Sequence, residues 1–179
     1  ASRTAAIAKG VEVETRVRDY WRGKIKIVDG LKKCQKNWDL ITAFHVFEHL
    51  KDPRSVLIEL GEYLASNGKI VIEVPNAYDA LLHLYNCPEF KAFTYWSQHL
   101  YLFDSKTIPI LVSQAGLSLR KIHFIQRYPV SNHLYWLSDG VPGGHEKWSM
   151  LNSEALSSAY EKQLAAIGMT DTLFVEIGF

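Results

Sequence analysis

The chain is poor in cysteine, in long apolar runs and in net charge, and each shortage excludes a class of protein. Two cysteines, Cys34 and Cys87, among 179 residues do not make a disulfide scaffold, so the sequence points to a reducing compartment, the cytoplasm. No apolar run approaches the length of about 20 residues that a membrane-spanning helix needs. The opening stretch, ASRTAAIAKG, has neither the long apolar core of a secretory signal nor an initiator Met, which suggests a processed or truncated chain. Lys and Arg number 20 against 19 Asp and Glu, a net charge of +1. That balance leaves no electrostatic footprint for nucleic acid or an anionic membrane, and neither is expected as a partner. Internal repeats, linkers and low-complexity segments are missing as well.

What is present is an ordinary globular balance, with 47% hydrophobic and 22% charged residues, long enough for one domain over 1–179 with a real core. Ala1–Lys9 reads as the tail of a helix, KGVEVE (9–14) as a strand, and TRVRDYWRG (15–23) as a helix closed by Gly23. KIKIVDG (24–30) and WDLITAF (38–44) are short apolar strands. Asp52-Pro53 is a strong helix start, with Asp at the cap and Pro in the first turn. Val56, Leu57, Leu60, Tyr63 and Leu64 follow at helical spacing, and Asn67-Gly68 is expected to close that helix. KIVIEVPN (69–76) is a strand, 105–115 a helix, LSLRKIHFIQ (117–126) a strand, 152–167 a helix and DTLFVEIGF (171–179) a closing strand. Residues 77–105 read as irregular and aromatic-rich, and 127–150 as a long functional loop. Alternating helices and near-continuous apolar strands predict an α/β, doubly wound, mostly parallel sheet with an antiparallel pair at the C-terminal end. Ligands of such folds bind at the carboxyl ends of the strands. The two segments 77–105 and 127–150 are expected to form a substrate cap.

One motif invites a metal. FHVFEHLKDP (44–53) contains His45, Glu48 and His49, an H-x-x-E-H spelling. A zinc site of that kind needs both histidines on one stable helix and a third ligand elsewhere. Here His45 follows a strand directly, about one turn fits before Asp52, and the residue before a proline is pushed out of helical conformation. No metal is therefore expected, and the segment reads as a strand-to-helix turn.

The run WDLITAFHVFEHLKDPRSVLIELGEYLASNGKIVIEVPN (38–76) resembles the centre of class I S-adenosylmethionine-dependent methyltransferases, closest to the branch of sugar C-methyltransferases and quinone O-methyltransferases. The resemblance implies a Rossmann-like fold and S-adenosyl-L-methionine as cofactor. It places Glu12, with Glu14 as the alternative, on the ribose hydroxyls, where a carboxylate accepts two bonds at once. It places Asp29 at the adenine amino group, Gly30 beside the ring, and Phe44 and His45 along the cofactor. The family's first strand and its Gly-rich loop have no counterpart in these residues. Either an N-terminal part is missing from the chain or the protein has lost that loop.

FTYWSQHLYLFD (93–104) resembles the Y-x-x-E-H-L-x-Y-F segment of the sugar C-methyltransferases. Tyr95 and His99 match, and Gln98 stands where the family has Glu. The resemblance makes His99 the candidate base, with Tyr95 and Gln98 beside it. A histidine can take a proton near neutral pH, and the loss of the Glu charge makes the harder deprotonation at carbon less secure. In QRYPVSNHLYWLSDGVPGGHEKW (126–148), the residues Tyr128, Asn132, His133 and Trp136 are candidate contacts to a small-molecule acceptor. A structural or dimer-contact loop is the other reading of this segment, which leaves a homodimer open. The leading expectation is methyl transfer to a small hydroxylated metabolite, a nucleotide sugar or polysaccharide precursor. The alternatives are O-methylation of a phenol or quinone, and a non-catalytic binding module that retains the fold.

Overall fold

A computed structural model describes residues 5–179. The helix expected over Ala1–Lys9 falls partly outside them, and residues 5–8 are not helical. Two short strands, β1 (Lys9–Val11) and β2 (Lys26–Val28), pair in parallel around helix α1 (Thr15–Trp21). The chain turns out of α1 through Gly23, whose φ of 79° lies in the left-handed region that glycine tolerates best.

The main sheet has four strands in the order β3-β4-β6-β5: β3 (Trp38–Phe44), β4 (Leu64–Pro75), β5 (Ser118–Ile125) and β6 (Thr172–Gly178). β3 and β4 run parallel, whereas β6 lies antiparallel to both β4 and β5. The α/β Rossmann-like class is as expected, and the sheet is mixed. β5 forms the edge of the sheet and β6 lies inside it, and the two make the expected antiparallel pair. Ile70, Ile72 and Val74 of β4 and Leu173, Val175 and Ile177 of β6 are buried, the alternating positions that make one apolar face of the sheet. Helices α2 (Pro53–Tyr63) and α5 (Thr107–Gln114) cover one side of them through Leu57, Leu60, Ile108, Leu111 and Val112.

α2 begins as its sequence dictates: the Asp52 carboxylate accepts the Ser55 N–H at 3.0 Å and Pro53 opens the first turn. Its end differs from expectation. The helix stops at Tyr63, and Asn67-Gly68 lies inside β4, where the register against β3 shifts between Trp38 and Leu40. A side chain at Gly68 would come within 2.7 Å of the Trp38 carbonyl oxygen, so the glycine serves close strand approach and not a helix cap.

The two segments expected to be irregular each contain two helices. Residues 77–105 contain α3 (Ala80–His83) and α4 (Pro88–Thr94), and 127–150 contain α6 (Val130–Asp139) and α7 (Gly144–Lys147). Gly144 lets α7 pack on α6, since a Cβ there would come within 2.3 Å of Tyr135 Cβ. Helix α8 (Glu154–Ala166), capped by Ser153 on the Leu156 N–H at 3.2 Å, returns the chain to β6.

Candidate functional site

The carboxyl end of β4 is anchored by Asn76. Its amide donates to the carbonyls of Gly168 and Thr170 at 3.0 and 2.8 Å, and its carbonyl accepts the Tyr78 N–H at 2.9 Å. This clamp ties the strand end to the approach of β6. Beside it opens a cavity of about 280 Å³. Its floor is Pro75, Asn76 and Thr172, and its sides are α3, α4 and α6. Aromatic walls come from Phe90, Phe93 and Trp136, with rings 5.1 to 6.2 Å apart. Polar groups on the wall include Asp79, His99, Arg127, Asn132, His133 and Asp171, with His45 at one side.

Two of these groups are carboxyls taken out of water. Asp79 caps α3 by accepting the Leu81 N–H at 2.6 Å, yet burial raises its pKa to about 7, and the Asp171 charge adds to the rise. Burial raises Asp171 as well, against the pull of the hydrogen bonds it receives. Those bonds come from the backbone of Arg127 and Tyr128 and from the Gln126 side chain at 2.9 Å. Next to them His133, 2% exposed, is drawn down to about 4 by burial. The neutral ring joins a chain: Gln126 Nε2 faces His133 Nε2 at 3.2 Å, His133 Nδ1 meets the Tyr160 hydroxyl at 2.7 Å, and Tyr160 meets Tyr85 at 2.9 Å. With the Gln126 amide as donor, Nε2 accepts and Nδ1–H donates to Tyr160.

The turn after β3 forms a second cluster. His45 leaves the strand at φ 52°, an unusual conformation for a histidine. Its Nδ1 lies 3.2 Å from Glu48 Oε1, and its Nε2 faces Glu73 at 3.1 Å and the Arg127 guanidinium. Phe47–His49 is one 3₁₀ turn, so no helix carries the H-x-x-E-H spelling. The segment after α4 is stitched to this turn. Leu100 N–H and Tyr101 N–H donate to the Glu48 carbonyl at 2.8 and 3.2 Å, and His49 Nδ1 bonds the Gln98 carbonyl at 2.8 Å. That stitching brings His99 against His49, ring centroids 5.1 Å apart.

All four candidate acceptor contacts, Tyr128, Asn132, His133 and Trp136, stand on the cavity wall, and so does His99. Tyr95 and Gln98 do not. Tyr95 is exposed at the end of α4, and Gln98 meets the cluster through its backbone carbonyl. Of the candidate cofactor residues, Glu12 and Asp29 follow the paired ends Val11 and Val28 of two adjacent parallel strands. The space beside Gly30 is open, with nothing within 4 Å of where a Cβ would stand. Glu12 is half-buried and accepts the Glu14 N–H through one oxygen, Asp29 pairs with Lys33 at 2.8 Å, and Phe44 packs on Phe174. Carboxylates at strand ends beside an open glycine fit a ribose and an adenine in kind. Sequence reasoning missed Asp79, Arg127 and Asp171. A signal existed for Asp79, an Asp ahead of the apolar Ala80-Leu81-Leu82; for Asp171 there was none.

A family model described as a methyltransferase domain matches residues 6–122. Solved structures of similar fold include a SAM-dependent methyltransferase from Archaeoglobus fulgidus, at 17% identity and TM-score 0.58 over 94% of this chain and 74% of that one. A SAM-dependent methyltransferase from Thermotoga maritima gives 14% and 0.60 over 96% and 72%. A Haloferax volcanii protein solved in complex with the Trm112 methyltransferase activator gives 14% and 0.59 over 96% and 71%. At these identities the likeness is one of fold. No curated protein matches the chain in sequence.

Proposed function

This chain belongs to the class I methyltransferase domain family, which uses S-adenosyl-L-methionine, and from that premise we propose that it methylates a small hydroxylated metabolite bound in the cavity at the end of β4. One observation carries the choice: a cavity of about 280 Å³, walled by aromatic rings, onto which His99 opens. The His99 Nδ1 bonds the Thr94 carbonyl at 2.9 Å. A carbonyl only accepts, so Nδ1 carries the proton and Nε2 keeps its lone pair. That nitrogen takes the proton of the acceptor hydroxyl as the methyl group arrives. The cofactor supplies an electrophilic methyl, and the protein's task is positioning.

Glu12 holds the ribose hydroxyls, Asp29 and Gly30 meet the adenine, and Phe44 and His45 separate the cofactor from the acceptor. Tyr128, Asn132, His133 and Trp136 contact the acceptor. The carboxyls Asp79 and Asp171 offer directional bonds to hydroxyl groups, as a sugar-type acceptor requires, and neutral His133, both ring nitrogens held by Gln126 and Tyr160, lends a rigid ring surface beside them. Phe90, Phe93 and Trp136 favour a second reading, a planar phenol or quinone ring between them.

Calorimetry with S-adenosylhomocysteine tests the premise for this chain: binding is expected, and its absence would leave a fold-retaining binding module. Glu12→Ala should weaken that binding about 10- to 100-fold, the worth of hydrogen bonds to a charged group of roughly 1.5–3 kcal/mol. Unchanged affinity would place the ribose elsewhere. Release of S-adenosylhomocysteine from the methyl donor, screened over sugar and phenol acceptors, separates the two acceptor readings. With the responding acceptor, His99→Ala should abolish turnover and leave cofactor affinity within a few-fold.

A further inference from the structure

Three lone-pair-bearing groups converge beside the cavity. His49 Nδ1 bonds the Gln98 carbonyl at 2.8 Å, and His99 Nδ1 bonds the Thr94 carbonyl at 2.9 Å. Both partners only accept, so in each neutral ring Nδ1 holds the proton and Nε2 is the bare nitrogen. A backbone carbonyl on the far nitrogen is also how metal-binding histidines are held in the ligating tautomer. The third group is Glu48. It is 1% exposed, and its Oε2 is buried with no hydrogen-bond partner. One ligand atom from each of Glu48, His49 and His99 lies within 4.8 Å of the others. His49 Nε2 stands 3.8 Å from Glu48 Oε1, two acceptors facing each other with no donor between. Burying a carboxylate with one oxygen unpartnered is costly, and a cation held against that carboxylate offsets its charge.

We infer that Glu48, His49 and His99 bind one divalent first-row transition-metal cation. Two imidazoles and one carboxylate form a three-ligand set that leaves a coordination position open. Ligand distances of about 2.0–2.2 Å require the three side chains to close by small rotations from their present spacing. His45 takes no part, since Glu48, Glu73 and Arg127 occupy both its ring nitrogens. The H-x-x-E-H spelling thus contributes its second half only, and the third ligand arrives from the segment after α4, 50 residues on from His49. Of the three, His99 also borders the cavity, which puts the site next to the acceptor. Occupancy of the site is independent of the acceptor reading. Its use rests on that reading: the cation would receive the acceptor hydroxyl and lower its pKa, with His99 a ligand in place of a base.

The test is zinc titration by calorimetry on the full chain after dialysis against a chelator, with cobalt substitution read by visible absorption. One equivalent is expected, with affinity falling roughly 100-fold or more in His49→Ala and in His99→Ala. His123→Ala, a histidine bonded to Glu176 on the far strand pair, should leave it unchanged. Circular dichroism confirms that the variants fold. No uptake, as when a proton alone sits between His49 and Glu48, overturns the inference, and so does uptake that survives both variants. S-adenosylhomocysteine binding is measured separately, so failure of the metal site and failure of the methyltransferase reading remain distinct. Turnover divides the two roles of His99. His49 does not border the cavity, so a direct base tolerates His49→Ala, whereas a cation-held acceptor loses activity in that variant.

Discussion

Asp79 and His133 are both buried on one cavity wall, and burial moves them in opposite directions, to about 7 and about 4. The consequences for stability are opposite too. Folded Asp79 keeps its proton while the unfolded carboxyl ionises near 4, so its contribution is full at low pH and is lost as pH rises towards 7. His133 charges in the unfolded chain near 6.5 but stays neutral in the fold, so its contribution is full above 6.5 and is lost as pH falls towards 4. The shifts correspond to roughly 4 and 3 kcal/mol, and they nearly cancel between pH 4 and 7. Asp79→Asn keeps the cap on Leu81, because Asn caps as well as Asp, and it deletes one member of the pair. Thermal unfolding should then show Tm raised by several degrees at pH 8 and unchanged near pH 4, with a new fall on acidification below 6.5. A parallel displacement at all pH values would show that Asp79 is not held protonated. Residue type and pattern pointed to His133 and not to Asp79 or Asp171, because what makes a carboxyl unusual is the desolvation around it, and that belongs to the tertiary packing of α3 against the approach to β6. His99 was legible as a candidate site residue, whereas its nearness to His49 depends on backbone bonds between segments 50 residues apart.

At the scale of elements, local chemistry was readable where a helix starts and less so where it stops. Asp52-Pro53 and Ser153 cap their helices as such residues should. Asn67-Gly68, an equally good stop signal, instead sits within β4 because the strand begins directly after Tyr63 and must pass close to Trp38. A helix-closing glycine is used for its left-handed φ, but Gly68 is not among the positive-φ glycines of the described residues, so the cost of a side chain here comes from contact alone. In the strand, a Cβ meets the Trp38 oxygen at 2.7 Å and the Ala65 oxygen at 3.0 Å, backbone atoms that cannot turn aside. Gly68→Ala should cost roughly 1–3 kcal/mol, the usual cost of overpacking, seen as a lower urea midpoint with an unchanged slope. The cap helices α3, α4, α6 and α7 were unread for a different reason. They are 4 to 10 residues long and gain their order from packing around the cavity, and such short segments carry too few turns for a helical period to show.

Across the whole molecule the alternation of strands and helices was legible in the sequence, but the distribution of burial was not. Residues 5–46 read as three ordinary apolar strands and a helix, yet none of them is buried, and the described residues include no strand pairing β1 or β2 with the main sheet. The core is concentrated in β4, β6, α2 and α5. Opening free energies should divide along the same line, since segments with few buried apolar contacts open locally, well below the global unfolding free energy. Hydrogen-exchange mass spectrometry is expected to show β1 and β2 exchanging orders of magnitude faster than 70–74 and 173–177. The same measurement bears on function. Glu12 and Asp29, the proposed ribose and adenine contacts, stand at the ends of those two least protected strands, so cofactor binding has to order them. Added S-adenosylhomocysteine should slow exchange at 9–14 and 26–31 more than anywhere in β6. Uniform protection without ligand would make residues 5–46 part of one cooperative unit with the core, and ligand-induced protection confined to the cap would move the cofactor out of the β1–β2 end.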